Sequence, residues 1–193
     1  MAKKNRRQKN QKTFPYVSVI AGLVFIGIAI LMLTTGNSKG SADSGRQYGA
    51  VPVAVDLPAP ELALENINGE ADSLAGHQGQ VILVNNWAIW CPPCKAEMPT
   101  LEAYFEKHAD EGFTIIAVEA GEPLEAVAQF AEEYSLKFHV WLDPHGDSTR
   151  AIGNGNLPNS YVIDRTGRVR YAWTGEISRE TLEKFVTPLL SEQ

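Results

Sequence analysis

The only two cysteines of this chain, Cys91 and Cys94, are separated by Pro92 and Pro93. Two cysteine side chains at this spacing can close a small disulfide ring or open to a dithiol, which makes a two-electron redox switch. A zinc or copper site is one alternative, although a lone pair of cysteines supplies only two ligands. A structural disulfide is another, although a bridge over two residues restricts the unfolded chain little. The spacing therefore favours thiol–disulfide chemistry.

The cysteines lie between a predicted strand and a predicted helix. The continuous apolar run 81–87 indicates a buried central strand, and apolar residues at helical spacing predict a helix from Pro92 to about His108. A helix N-terminus carries partial positive charge and free N–H groups, which stabilise a thiolate. We therefore expect Cys91, at the cap, to be the partly exposed nucleophile and Cys94, one turn deeper, to be the shielded resolving thiol.

The histidines do not suggest a metal site. None of the four, His77, His108, His139 and His145, forms a spaced pair with another in the sequence, although His139 or His145 could approach the cysteines in the folded chain. The sequence therefore predicts no metal ligand and no cofactor.

The domain at 51–193 alternates strand and helix patterns. It begins with a short hairpin around the turn dipeptide Asn68-Gly69. This order predicts an α/β fold, with a mixed central sheet flanked by helices and an N-terminal β-hairpin extension. The further predicted elements are strands at 113–118 and 138–142, helices at 123–134 and 147–152, a hairpin of 161–163 with 169–173, and a last helix starting near Ser178.

The N-terminal region predicts a single transmembrane anchor at 14–35. It follows a basic segment, 1–13, and contains 20 uncharged residues from Phe14 to Leu33, about 30 Å as a helix, which is enough to cross a bilayer. The basic side should remain cytoplasmic, which makes the domain extracytoplasmic. A cleaved signal peptide is the alternative, but its apolar region is usually about 7–15 residues long. Residues 36–50, rich in small polar residues, are predicted to form a flexible linker.

Positive charge is concentrated in the first twelve residues, and the rest of the chain is acidic. Six basic residues stand in the first twelve positions, and the other 11 basic residues are outnumbered by 23 acidic ones. A net charge of −12 on the remainder would repel phosphates, so nucleic-acid binding is not expected.

Two segments resemble those of a known family. The segment 85–99, with its Trp-Cys-Pro-Pro-Cys core, resembles the active site of the thioredoxin superfamily, and more narrowly of the membrane-anchored, extracytoplasmic TlpA/ResA-like branch, which includes the cytochrome c maturation thioredoxins. The segment 155–164 resembles the part of that family holding a cis-proline beside the cysteines. The resemblance implies a thioredoxin-like fold over about 53–190 and a cis bond between Leu157 and Pro158.

The resemblance also implies roles for individual residues. Glu97 corresponds to an acid that this branch uses near the active site, where it would exchange the proton of the resolving cysteine. Asn85 stands where ordinary thioredoxins bury an aspartate. Because an amide cannot act as a base, the resemblance points more strongly to Glu97 as the residue that exchanges the proton. Asn86 departs from the aromatic residue that is common there, and we expect it to disturb the packing of the strand. The implied catalytic residues are Cys91, Cys94, Glu97 and Pro158, and the implied substrate-binding residues are Trp90, Pro92, Pro93 and Leu157.

The predicted function is a membrane-anchored extracytoplasmic thiol–disulfide oxidoreductase. The resemblance implies that it reduces protein disulfides, with apocytochrome c as one substrate, with electrons from a membrane partner, and as a monomer. A peroxiredoxin-type thiol peroxidase is one alternative, although the Pro-x-x-x-Thr/Ser-x-x-Cys setting is absent before Cys91. A copper-binding assembly module is the other alternative.

Overall fold

The computed structural model describes residues 51–192. The predicted basic segment, anchor and linker, residues 1–50, lie outside the described residues. Within 51–192, no helix has both the length and the apolar character needed to cross a bilayer.

The described residues contain eight strands and five α-helices. The strands are β1 (Val53–Pro58), β2 (Ala63–Asn66), β3 (Ala71–Ser73), β4 (Val81–Trp87), β5 (Phe113–Glu119), β6 (His139–Leu142), β7 (Asn159–Ile163) and β8 (Arg168–Thr174). The helices are α1 (Pro92–His108), α2 (Leu124–Glu133), α3 (Asp147–Ile152), α4 (Arg179–Phe185) and α5 (Thr187–Leu190). Short 3-10 turns lie at Leu74–His77 and Ala109–Glu111.

The strands form one mixed sheet in the order β1-β8-β7-β4-β5-β6-β2-β3. The central strands β4, β5 and β6 are parallel, and the other neighbouring pairs are antiparallel. Every residue of β4 and β5 is buried, because both faces of the sheet are covered there. The mixed α/β fold and the predicted hairpin, β2–β3, are confirmed.

The edge strand β1 was absent from the sequence-based prediction. It pairs with β8 at the edge of the sheet opposite the hairpin. Five of its six residues are exposed, so it shows neither an apolar run nor a clear alternation. The last predicted helix is also divided, into α4 and α5, with Pro188 in the first turn of α5.

The pleat of β4 divides the core between the two faces of the sheet. Val81, Leu83 and Trp87 pack on the face covered by α1, α2, α4 and α5. Ile82 and Val84 pack on the opposite face, against the hairpin region and α3. Alternation then places Asn85 under α1 and Asn86 on the other side.

Asn86 does not disturb β4, which contradicts the expectation from the sequence. The strand is continuous and Asn86 is buried within it. Its Nδ2 donates to Asn159 Oδ1 at 2.7 Å, and its Oδ1 accepts from Ser148 Oγ at 2.5 Å. A buried amide is tolerated when its donor and acceptor are both paired, and here β7 and α3 supply the partners.

Candidate active site

The two cysteines form a disulfide at the start of α1. Cys91 has extended backbone angles and caps the helix, and its Sγ accepts from the backbone N–H of Cys94 at 3.4 Å. Pro92 occupies the first position of the helix, where a missing N–H costs nothing. The Cα atoms of Cys91 and Cys94 are 5.3 Å apart, within the ordinary range for a bridge. The predicted strand–loop–helix setting of the pair is therefore confirmed.

The exposure of the two cysteines differs from the prediction in degree. Cys91 is only 4% exposed, whereas the sequence predicts partial exposure, and Cys94 is fully buried. In the closed ring the Cys91 sulfur lies at the first turn of α1, where it accepts a hydrogen bond from the Cys94 amide. Trp90, directly before the pair, is 65% exposed. Access to the pair is therefore restricted to the Cys91 side, next to an exposed aromatic ring.

Glu97 is a fully buried carboxyl one turn along α1 from Cys94. Its Oε1 accepts from Asn85 Nδ2 at 2.8 Å, and its Oε2 accepts from the backbone N–H of Ile177 at 2.8 Å. Burial raises the pKa of Glu97 to about 7, although the two hydrogen bonds oppose this rise and the charge of Glu176 adds to it slightly. A carboxyl with this pKa can accept or release a proton near neutrality.

Asn85 joins this carboxyl to the strand that follows the predicted cis-proline. Its Nδ2 donates to Ser160 Oγ at 3.0 Å as well as to Glu97. Its Oδ1 is buried and has no hydrogen-bond partner within residues 51–192. Because an amide does not titrate, Glu97 is the group in this network that can transfer a proton.

The bond between Leu157 and Pro158 is cis, as the resemblance implies. Pro158 is buried, and Leu157 packs against the core cluster that contains both cysteines. The Pro158 carbonyl accepts from the backbone N–H of Gly175 at 2.8 Å. By contrast, the backbone groups of Leu157 make no hydrogen bond within the described part of the chain.

Some members of this site were missed from the sequence. Ile177 and Ser160 hold Glu97 and Asn85 from positions 80 and 75 residues away, and local patterns carry no signal of such pairs. Outside this hydrogen-bond network, Glu119, the last residue of β5, is a further buried carboxyl and pairs in register with Trp87. Burial raises the pKa of Glu119. The position of this acid, directly after the apolar run 113–118, could have indicated from the sequence that Glu119 is buried at the end of a strand.

Comparisons with known proteins agree with this geometry. Residues 55–172 match the model of the AhpC/TSA family. The thiol-disulfide oxidoreductase ResA of Bacillus anthracis is 35% identical over 164 residues, which cover 83% of this chain and 95% of that protein. The ResA protein of Geobacillus kaustophilus is 33% identical over 132 residues, covering 68% of this chain and 76% of the relative.

Solved structures show the same fold. A thiol:disulfide interchange protein of the thioredoxin family from Chlorobium tepidum TLS superposes with a TM-score of 0.65 at 28% identity, over 72% of this chain and 99% of that one. The thioredoxin-like fold expected from the resemblance is therefore confirmed for the described domain.

The raised pKa of Glu97 predicts a pH-dependent stability. The folded protein keeps a proton that the unfolded chain loses above its ordinary pKa of 4.5, so this contribution is complete below about pH 4.5 and is lost as the pH rises through 7. Between pH 5 and pH 8, the free energy of unfolding should therefore fall by about 2–3 kcal/mol more in the wild type than in Glu97→Gln.

Urea unfolding of the oxidised proteins at both pH values measures this difference. Glu125→Gln is the matched control, because Glu125 is exposed on α2 and should leave the wild-type pH dependence intact. Equal pH dependence in wild type and Glu97→Gln would show that Glu97 does not titrate in this range.

Proposed function

This chain belongs to the AhpC/TSA family and, within the thioredoxin superfamily, to the TlpA/ResA-like thiol-disulfide oxidoreductases, and from that membership we propose that it reduces disulfides in exported proteins. It is a protein-disulfide oxidoreductase. The observation that carries the proposed mechanism is the buried Glu97 carboxyl, with a pKa of about 7, one turn from Cys94 on the same helix.

The proposed reaction begins from the dithiol. The Cys91 thiolate, stabilised by the α1 N-terminus, attacks one sulfur of a substrate disulfide and forms a mixed disulfide, and the released substrate thiolate takes up a proton. Glu97 accepts the proton of Cys94, and the Cys94 thiolate attacks the Cys91 sulfur. The second substrate thiolate leaves, and the Cys91–Cys94 disulfide of this structure remains. Two electrons have then passed from the dithiol to the substrate.

The surface around Cys91 supports an extended polypeptide as substrate. Trp90, Pro92 and Pro93 are exposed around a sulfur that is itself nearly covered. The backbone N–H and C=O of Leu157 have no hydrogen-bond partner within residues 51–192, which suits the addition of a substrate strand, and Pro158 would hold that edge beside the cysteines. Main-chain pairing of this kind would tolerate many sequences, which suits an enzyme acting on several exported proteins.

The proposed location rests on the N-terminal sequence. Residues 14–35 have the length and apolar character of a single span, and the basic residues 1–13 would keep the N-terminus cytoplasmic. The linker 36–50 would then tether the monomeric domain 51–193 outside the membrane. A membrane electron donor would restore the dithiol, and the resemblance to cytochrome c maturation thioredoxins supports apocytochrome c as one substrate.

The two alternatives have weaker support. A peroxidase is consistent with the AhpC/TSA match, but Val84 to Trp90 lack the threonine or serine setting of a peroxidatic cysteine. A copper module would need ligands beside the two cysteines. Among the described residues, the one group of three potential metal ligands contains neither cysteine.

The division of roles between the cysteines predicts different trapping behaviour. Cys94→Ser should accumulate a mixed disulfide with a disulfide-bonded protein substrate, because nothing resolves it. Cys91→Ser should not, because Cys94 is fully buried. Glu97→Gln should form the mixed disulfide and resolve it roughly 10²-fold more slowly, with the pH dependence near 7 removed. Non-reducing electrophoresis and quenched-flow mass spectrometry follow these species, and trapping by Cys91→Ser would reverse the assignment.

The reductive direction predicts a low reduction potential. The Cys91–Cys94 couple should lie near or below that of thioredoxin, about −270 mV, and well below the roughly −120 mV of a strong oxidant. Equilibration with dithiothreitol buffers, followed by thiol alkylation and mass measurement, gives the value. The reduced protein should also reduce a disulfide-bonded apocytochrome c peptide, and the double variant Cys91→Ser/Cys94→Ser should not. A value near −120 mV would make the protein an oxidant.

The anchor predicts membrane retention of the intact chain. In bacterial cells the full-length protein should resist carbonate extraction, and protease added outside the cytoplasmic membrane should digest the domain while leaving residues 1–13 protected. A chain beginning at residue 36 behind a cleavable signal peptide is the control and should be released. Recovery of the wild-type protein in the extractable fraction without its first 35 residues would indicate a signal peptide instead.

A further inference from the structure

Three potential metal ligands meet near the hairpin edge of the sheet. Asp72 lies in β3, His77 ends the 3-10 turn Leu74–His77, and His139 begins β6. His77 Nε2 lies 3.0 Å from Asp72 Oδ2, and His139 Nδ1 lies 3.7 Å from the same oxygen. One ligand atom from each of the three residues lies within 4.8 Å of the others.

This cluster is separate from the redox pair. His139 pairs in register with Ile116 at the middle of β5, whereas Cys91 lies beyond the last residue of the parallel strand β4. His139 and Trp141 are two residues apart in β6, so their side chains lie on the same face of the sheet. Trp141 packs in the core on the face opposite both cysteines. The cluster therefore does not belong to the active site.

The side chains around the cluster orient its ligand atoms. Asp72 Oδ1 accepts from the Ser73 N–H at 2.7 Å, and Asp72 Oδ2 accepts from the Trp141 indole at 3.1 Å. On the far side of its ring, His77 Nδ1 contacts Gln80 Oε1 at 3.4 Å. Ligating histidines commonly donate their second ring nitrogen to such an acceptor, and ligating carboxylates are themselves hydrogen-bonded.

The orientation of His77 is compatible with an ion between its ring and Asp72. If Nδ1–H donates to Gln80, the Nε2 of a neutral ring presents a lone pair toward the Asp72 carboxylate. In that tautomer, Nε2 and Asp72 Oδ2, 3.0 Å apart, are both free to act as ligands to an ion between them. His139 directs a third ligand atom to the same place.

We propose that Asp72, His77 and His139 bind a divalent transition-metal ion of the zinc type. Two imidazoles and one carboxylate form a donor set that suits zinc, and tetrahedral ligand atoms about 2.0–2.1 Å from the ion lie about 3.4 Å apart. The two separations from Asp72 Oδ2, 3.0 and 3.7 Å, lie on either side of this value. The His139 side chain is 42% exposed, which leaves a path for the ion and a position for a water ligand.

A bound ion would fasten the hairpin to the sheet. Asp72 and His77 belong to the hairpin and its following turn, whereas His139 belongs to β6. An ion that binds only the folded arrangement stabilises it by mass action, so zinc at 100 times its Kd would shift the folding equilibrium about 100-fold. The site would therefore act on stability and leave the Cys91–Cys94 chemistry unchanged.

Titration of the full-length, tag-free, oxidised protein with zinc chloride tests this site, because the disulfide removes thiolate ligands. The wild type should bind one zinc ion per chain and unfold at a higher temperature with zinc. His139→Ala should weaken binding at least 10–100-fold and lose the thermal shift, since it removes a direct ligand. His145→Ala is the matched control, because His145 is exposed and outside the cluster, and it should behave as wild type.

The variant His139→Ala should fold normally, because the His139 side chain is half exposed. The unfolding temperature of the variant without zinc should therefore match that of the wild type. Equal zinc affinity in wild type and His139→Ala would overturn the proposal. So would the absence of stoichiometric zinc binding to the wild type at 100 µM zinc.

Discussion

The removal of the Glu97 carboxyl from water is the constraint on which the active site depends. A buried ionised carboxylate is costly unless donors surround it, and here Asn85 and the backbone of Ile177 supply one hydrogen bond to each oxygen. These donors come from β4 and from the segment before α4, while the carboxyl comes from α1. The pKa of about 7 exists only when all three parts of the chain are in place, so the proton chemistry of the site is a property of the assembled fold.

Consecutive asparagines in β4 show how one strand serves both faces of the sheet. Asn85 faces α1 and supports the carboxyl, whereas Asn86 faces α3 and β7 and is paired by Ser148 and Asn159. Neither amide interrupts the strand, because each is fixed by partners on its own face. Buried polar side chains therefore lie on both faces of the sheet at this end of β4. Asn85 connects Glu97 of α1 with Ser160, and Asn86 contacts Asn159, both partners lying just after Pro158.

Features encoded in neighbouring residues could be predicted from the sequence. The apolar run of β4, the helical spacing of α1, its cap at Cys91 and the turn at Asn68-Gly69 all depend on short separations. The resemblance added the cis bond before Pro158, which no local pattern indicates. Long-range partners could not be predicted, because the contacts of Glu97 with Ile177 and of Asp72 with His139 depend on the order of strands in the sheet. The near-complete burial of Cys91 also escaped prediction, since it depends on the distant parts of the chain that pack around the residue.

The small accessible area of Cys91 in the closed disulfide restricts which thiols can attack that bridge. Disulfide exchange needs three sulfur atoms nearly in line. In the closed ring Cys91 is only 4% exposed, so a thiol that attacks its sulfur must approach by the one open side, next to the exposed Trp90. A thiol held rigidly inside a folded protein cannot take up that position, whereas one on a protruding or flexible segment can. The narrow opening thereby limits which thiols can reopen the Cys91–Cys94 disulfide, because only a thiol on an exposed segment can reach it in line.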